Sequence, residues 1–251
     1  MDTQIIVVFC LCADMLESLH HYEDRQCQMS DAEVMTTAIV AMLYFRGNFS
    51  LASRYLFEHC YIPKMLSASR FNRRLHRIAE LFLTLFLLAV CDNYRIKRSK
   101  IYRGEAFRGY IASKKRYFYG LRIHILVTEH GEPVEFFLEP GAFSDTSALG
   151  LYHFDVPAGS FVTGDKAYND YTIEDVMREA GVELMPLRKK NSLRPVPAYM
   201  TYFQVCIRKI VETTGSLMER LLPKSIHAVT ARGFELKLAL LILACSLNFL
   251  W

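Results

Sequence analysis

The chain has 251 residues, 52% of them apolar, and a formal net charge of +4, enough for one large core or two smaller ones. Seven scattered cysteines form no C-x-x-C pair, which excludes a zinc ribbon and a disulfide frame and fits reduced thiols in a cytoplasm. No G-x-G-x-x-G, Walker loop or G-x-S-x-G occurs, which argues against nucleotide-cofactor and α/β-hydrolase chemistry.

The charge is uneven. Residues 95–122 hold ten Lys/Arg and one acid, Glu105, a local charge of +9 that leaves −5 for the remainder. Such a concentration implies an anionic partner, nucleic acid first.

Residues 1–80 read as helices. The apolar run 5–12 is too short for a membrane span and has neither a basic n-region nor a cleavage site. Ser30 and Glu33 form a capping-box pattern, and Val34, Ala38, Ala41 and Met42 continue it at helical spacing. Gly47-Asn48 stops that helix, Ser50 starts another through Leu56, and Ser69 begins a third. In the third, Phe71, Leu75 and Ile78 face one way and Arg70, Arg73, Arg74 and Arg77 the other. A small helical unit with a basic last helix can be a DNA-binding head; the alternative is a solvated arginine face. His20, His21, His59 and His76 lack metal-ligand spacing and read as surface or packing residues.

The apolar run 81–91 fits a helix, a buried strand, or both in turn. Residues 92–109 read as a basic loop or arm in which Tyr94, Tyr102 and Phe107 interleave with cations, a mixture suited to phosphates and exposed bases. From 115 to 129 the apolar residues alternate, with Tyr117, Tyr119, Leu121, Ile123, Ile125 and Val127 on one side of a strand. A turn leads to a returning strand, 133–139. Asp145 then caps a short helix, 146–153. The segment 161–163 ends a buried strand, Gly164 frees the backbone, and Asp165 stands at the strand's carboxyl end, where ligands of open α/β sheets collect. Thr172 is the candidate cap of the next helix, which Gly181 ends. A strand over 182–187 follows, with Arg188, Lys189 and Lys190 at its carboxyl end. The order predicts a mixed α/β sheet flanked by helices.

Further along, Ile207, Ile210, Val211, Leu217, Met218 and Leu221 form an apolar helical stripe. A second stripe holds Arg208, Glu212, Gly215 and Glu219. Gly215 costs a helix about 1 kcal/mol relative to Ala, which would be explained by close approach to the backbone there. The alternative for Arg208 and Glu212 is a surface i,i+4 pair. The final run, 238–251, falls short of the roughly 20 residues of a span and is expected to be a buried helix, with no membrane partner.

Taken together, KKRYFYGLRIHILVTEHGEPVEFFLEPGAFSD, GDKAYND, LRKKNS and RKIVETTGSLMERLLPKSIHAVTARGFELKLALLILACSLNFL resemble the DDE transposases of bacterial insertion sequences, above all the insertion-sequence-982 family. The resemblance implies an RNase H-like fold in which three carboxylates hold two Mg²⁺ (or Mn²⁺) ions for in-line phosphoryl displacement. By it, the second acid falls on Asp165 and the glutamate on Glu212, both catalytic and metal-holding, with Arg208 as a phosphate or DNA contact. DNA-binding roles are also expected of Arg95, Lys97, Arg98, Lys100, Arg103, Lys114, Lys115, Arg116, Arg188, Lys189 and Lys190. Val205 stands where the family has tyrosine.

The larger departure is the first acid, which the family carries on the first, central strand in a context like I-D-S-F-P. Here no acid occurs between Glu80 and Asp92, and Asp92 falls after that position. The expectation is therefore a helical DNA-binding domain over 1–80 and a truncated RNase H-like DDE domain over 81–251. The chain would act on terminal repeats and target DNA, as a homo-oligomer on DNA, with impaired Mg²⁺-dependent cleavage and strand transfer. Run 81–91 would partly substitute for the lost strand. The alternatives are a non-catalytic DNA-binding relic that interferes with an intact transposase, and an RNase H-type nuclease.

Overall fold

A computed structural model describes residues 1–24, 26–79, 101–102, 104–111, 116–152, 156–222, 226 and 228–251. The chain divides into two compact units, Met1–Leu88 with Leu217–Trp251, and Ala89–Ser216.

In the first unit α1 (Asp2–Ser18), α2 (Asp31–Phe45), α3 (Phe49–Glu58) and α4 (Ala68–Arg77) realise the expected helices. Ser30 Oγ accepts from Glu33 N at 3.1 Å and Glu33 Oε2 accepts from Ser30 N at 2.6 Å, the reciprocal capping box. Arg46 and Gly47 turn left-handed at φ 49° and 75°, and Asn48 caps α3 by accepting from Leu51 N at 3.1 Å. Helix α2 is buried at almost every position from Asp31 to Met42. A helix apolar all round belongs in a centre, and α1, α3 and α4 surround it.

The last apolar run is also there. The helix Ala231–Leu247 buries Leu236, Leu240 and Ala244 in the same cluster as Val8, Ile39 and Leu56. Among the described residues, Ala231–Leu250 is the one stretch long and apolar enough by itself to cross a membrane, and 56% of its apolar window is buried inside the protein.

The basic face of α4 is split. Arg70, Arg73 and Arg77 are exposed. Arg74 turns inward, its Nε 2.7 Å from Asp31 Oδ1 and its Nη2 2.5 Å from Glu23 Oε1, while His21 holds the other Asp31 oxygen at 2.9 Å. Asp31 is thereby paired as a buried carboxylate must be.

The second unit is mixed α/β, as expected, but among the described residues its strands form three two-stranded sheets in place of one larger sheet. Strands β1 (Arg108–Ile111) and β2 (Arg116–Tyr119) are antiparallel, as are β3 (Leu121–Val127) and β4 (Pro133–Pro140). The alternating stretch 115–129 is thus two strands. They break at Gly120, whose N–H donates to Phe107 O at 2.8 Å and whose carbonyl accepts from Gly141 N at 2.9 Å. That corner changes the parity of the buried face, so Phe118 and Leu121 are both buried while Tyr117 is exposed. Glycine is required at this corner: a Cβ on Gly109 would lie 2.3 Å from the Phe118 ring and 2.5 Å from Gly141 O.

A short helix α5 (Asp145–Leu149) follows, five residues long and shorter than the expected 146–153. Ser144 caps it by accepting from Ser147 N at 3.2 Å. Asp145 is therefore not the cap; it receives Arg122 Nη1 at 2.7 Å. Next come β5 (Phe161–Gly164), α6 (Tyr171–Glu179) and β6 (Glu183–Pro186), with β6 parallel to β5. The cap of α6 is Asp170, not Thr172, since Asp170 Oδ1 accepts from Thr172 N and Ile173 N. Val162, Met177, Val182, Leu184 and Leu149 make the core of this βαβ unit. Helix α7 (Ala198–Leu221) is the long helix that carries Glu212, and Ala231–Leu247 is α8. The run 81–91 and the greater part of the basic arm lie outside the described residues.

Candidate active site

The site forms where β5 ends. Parallel pairing with β6 carries β5 through Gly164, whose carbonyl accepts from Leu187 N at 2.9 Å. The next residue, Asp165, starts a 3-10 turn, Lys166–Tyr168, and its Oδ1 accepts from Lys166 N at 2.7 Å. The carboxylate is thus fixed at the strand's carboxyl end and remains half exposed.

Helix α7 brings the second carboxylate. Its buried stripe differs from the expected apolar one. Gln204 and Thr214 are buried, while Val211 is 44% exposed. Gln204 Nε2 donates to Met185 O in β6 at 2.7 Å, and Thr214 Oγ1 donates to Gly131 O in the β3–β4 turn at 2.7 Å. These two polar anchors set the helix's rotation by pairing backbone carbonyls that burial would otherwise leave unsatisfied. With that rotation, Arg208 and Glu212 face Asp165. Arg208 Nε lies 3.2 Å from Glu212 Oε1, and Arg208 Nη1 lies 3.5 Å from Asp165 Oδ1. Nothing lies within 4 Å of a Cβ placed on Gly215, so no close approach within the protein accounts for that glycine.

Two hollows meet at Arg208. One, of about 290 Å³, runs between β3 and β5 beneath α7; Ile125, Leu126, Val162, Leu184 and Ile207 line it, and Asp165, Arg208 and Glu212 stand at it. The other, of about 400 Å³, is lined by Lys166, Arg188, Lys189, Lys190 and Arg208, with no acid among the described residues of its wall.

Of the expected DNA contacts, Lys189 and Lys190 are exposed at this second cleft. Arg188 lines it but is committed elsewhere. Its two Nη atoms contact Glu174 at 2.5 and 3.0 Å, and Nη1 also contacts Asn169 at 3.1 Å. Arg95, Lys97, Arg98, Lys100, Arg103, Lys114 and Lys115 lie outside the described residues, and of Arg116 only the backbone, in β2, is described.

Lys166 and Tyr168 were not foreseen at the site. Lys166 directly follows the acid in the same motif, which is the signal that could have found it. Tyr168 packs beside Gly164 and hydrogen-bonds His124 Nδ1 at 2.8 Å. His124 Nε2 in turn lies 3.5 Å from Glu139 Oε2, and both side chains are 2% exposed. Burial lowers the His124 pKa and raises that of Glu139, so burial disfavours the charged form of each.

Among the described residues no group of three or more His, Cys, Asp or Glu side chains could hold a metal ion. The two carboxylates at Arg208 suit a single hard dication, because Mg²⁺ takes one or two carboxylates and completes its shell with waters and phosphate oxygens.

Asp165 at a strand's carboxyl end and Glu212 on α7 thus share the Arg208 guanidinium beside a cleft walled by cations. The family model for the transposase DDE domain matches residues 79–225, more than half of the 251. The chain belongs to this family of DDE transposase domains, whose partner is DNA and whose members generally use divalent metal ions. No curated protein and no solved structure matches the chain.

Proposed function

We propose that the chain is an insertion-sequence transposase of the insertion-sequence-982 kind, with an RNase H-like DDE domain whose first acid is missing. The observation that carries this reading is the meeting of Asp165 and Glu212, from a strand end and a distant helix, on the one Arg208 guanidinium.

In this reading Asp165 and Glu212 hold a divalent ion, Mg²⁺ or Mn²⁺, which when bound polarises a DNA phosphate and activates the attacking oxygen. Asp165 is oriented by its bond to Lys166 N, and Glu212 by the rotation that Gln204 and Thr214 impose on α7. Arg208, Lys166, Lys189 and Lys190 engage DNA phosphates in the acid-free cleft, and the helices of residues 1–80 supply a DNA-binding head through Arg70, Arg73 and Arg77. The chain works on terminal repeats and target DNA as a homo-oligomer.

Impairment is supported by the strand pairing as well as the sequence. Among the described residues, β3 is paired only with β4 and β5 only with β6. Both strands line the same apolar hollow, where a central strand with the first acid would join the two ladders. With two carboxylates in place of three, the site suits one ion where the two-ion mechanism needs a pair.

Purified protein with Mg²⁺ or Mn²⁺ and duplexes carrying the cognate terminal repeats tests the reading. Salt-sensitive binding with little or no cleavage or strand transfer is expected; robust Mg²⁺-dependent strand transfer refutes the impairment. The acid-free cleft favours a second reading, a DNA-binding relic that occupies the ends an intact copy would use. In that case the chain lowers transposition by an intact copy supplied with it.

A further inference from the structure

Among the described residues, Arg208 is the one charged side chain that lines both hollows. It stands at the apolar hollow with the two carboxylates, and it also forms part of the wall of the cationic cleft. Its guanidinium contacts Asp165 Oδ1 at 3.5 Å through Nη1 and Glu212 Oε1 at 3.2 Å through Nε. A cation that reaches both carboxylates of a proposed ion site lies where a dication would have to lie.

We infer that Arg208 is a built-in competitor for the divalent ion, released when a DNA phosphate enters the neighbouring cleft. This rests on the reading of Asp165 and Glu212 as the ion's ligands. The contacts are of a displaceable kind. All three side chains are at least half exposed, the Glu212 contact is not a bidentate fork, and exposed pairs are held weakly. Arg208 also precedes Glu212 by one helical turn, the less favourable order for an i,i+4 pair.

A DNA phosphate offers the guanidinium a fork-shaped acceptor that can be taken bidentately, which neither single-atom carboxylate contact provides. The cleft that would receive it also carries Lys166, Lys189 and Lys190. When Arg208 turns to the phosphate, both carboxylates lose their internal cation together and can close on a dication. Ion and DNA then favour each other's binding by the same factor, as linkage requires. The free protein holds a divalent ion poorly, and the ion is drawn in at the moment DNA arrives.

Titration of the full-length free protein with Mn²⁺, read by the electron paramagnetic resonance of the unbound ion, tests this without any turnover. Arg208→Gln is expected to bind Mn²⁺ roughly three- to ten-fold more tightly than the parent, the range two exposed ion pairs can supply. Asp165→Asn and Glu212→Gln should each weaken it. Damage to the fold would loosen binding, so a tightened affinity cannot arise from a merely structural role. Equal or weaker affinity in Arg208→Gln, with binding still lost in Asp165→Asn, overturns the inference and leaves the ion site standing. Binding that is undetectable in every variant, or indifferent to Asp165 and Glu212, removes the ion site and the inference with it.

Discussion

Glu174 has no exposed side-chain surface and takes both Nη atoms of Arg188, at 2.5 and 3.0 Å. Arg194 adds a further contact to Glu174 at 3.2 Å and a pair with Asp175 at 2.8 Å. Together these pin the segment after β6 to α6, and so fix the cleft wall from which Lys189 and Lys190 project. Removing one partner of a buried pair strands the other's charge. Arg188→Ala should therefore cost about 3 kcal/mol, read as a lowered urea midpoint with unchanged slope. A stability equal to the parent's would return Arg188 to the pool of free DNA contacts.

The β1–β2 hairpin abuts the end of β4 through Gly109 and Gly141. Since a Cβ on Gly109 would meet both a ring and a backbone oxygen, Gly109→Ala should destabilise by about 1–3 kcal/mol, as overpacking does. Gly215→Ala, in open space on α7, should instead stabilise by about 1 kcal/mol. Chemical denaturation of the two variants side by side checks the contrast.

The buried His124–Glu139 pair makes stability depend on pH in two opposing ways. His124 has a lowered pKa, so its contribution is whole above the unfolded value near 6.5 and is lost as pH falls below it. Glu139 has a raised pKa, so its contribution is whole below the unfolded value near 4.3 and is lost as pH rises through the folded one. Arg122, Asp145 and Tyr168 face the pair and set its field. Glu139→Gln should show a stability that climbs more steeply with pH up to about 6.5 than the parent's, and His124→Gln one that climbs less or falls. Thermal midpoints from pH 4.5 to 7.5, taken as differences from the parent, decide it; equal slopes in all three would mean that neither group is perturbed.

DNA affinity should fall steeply with salt. Each phosphate contact removed lowers the slope of log affinity against log salt by about 1, so Lys189→Ala with Lys190→Ala should lower it by about 2. Filter binding over a salt series measures this. An unchanged slope would place the DNA track elsewhere.

If a central strand bearing the first acid is what the chain lacks, supplying one should restore chemistry. Inserting an I-D-S-F-P-type strand segment ahead of Ala89 is expected to yield Mg²⁺-dependent nicking of terminal-repeat DNA, and the same insert with asparagine for aspartate should yield none. Inactivity of both inserts, in soluble protein that still binds DNA, would count against a simple deletion.

What the sequence disclosed was whatever local chemistry decides. The Ser30–Glu33 cap, the Gly47-Asn48 stop, the β3–β4 hairpin and the placement of Asp165 at a strand end are each written within a few neighbouring residues. The spacing of Arg208 and Glu212 gave their shared face, and the family resemblance paired Glu212 with Asp165. What long-range packing decides could not be read. Gln204 and Thr214 look like surface residues until their carbonyl partners are known, and they displaced Val211 from the buried stripe. Gly120 read as one more strand position because its partners, Phe107 and Gly141, are distant. Arg188 counted as a free cation because its partner Glu174 lies 14 residues away on another element. Arg74 was misjudged in the same way, since Glu23 and Asp31 lie far from it in sequence.

Helix α8 shares its core with α1–α4, all of which precede it in the chain. During synthesis those helices emerge with the apolar sides of α2 uncovered, and no later segment replaces α8 there until Leu236, Leu240 and Ala244 have left the ribosome. Helices α1–α4 therefore complete their core only once α8 has been made, and a nascent chain stalled before Ala231 would be a substrate for chaperones or proteases.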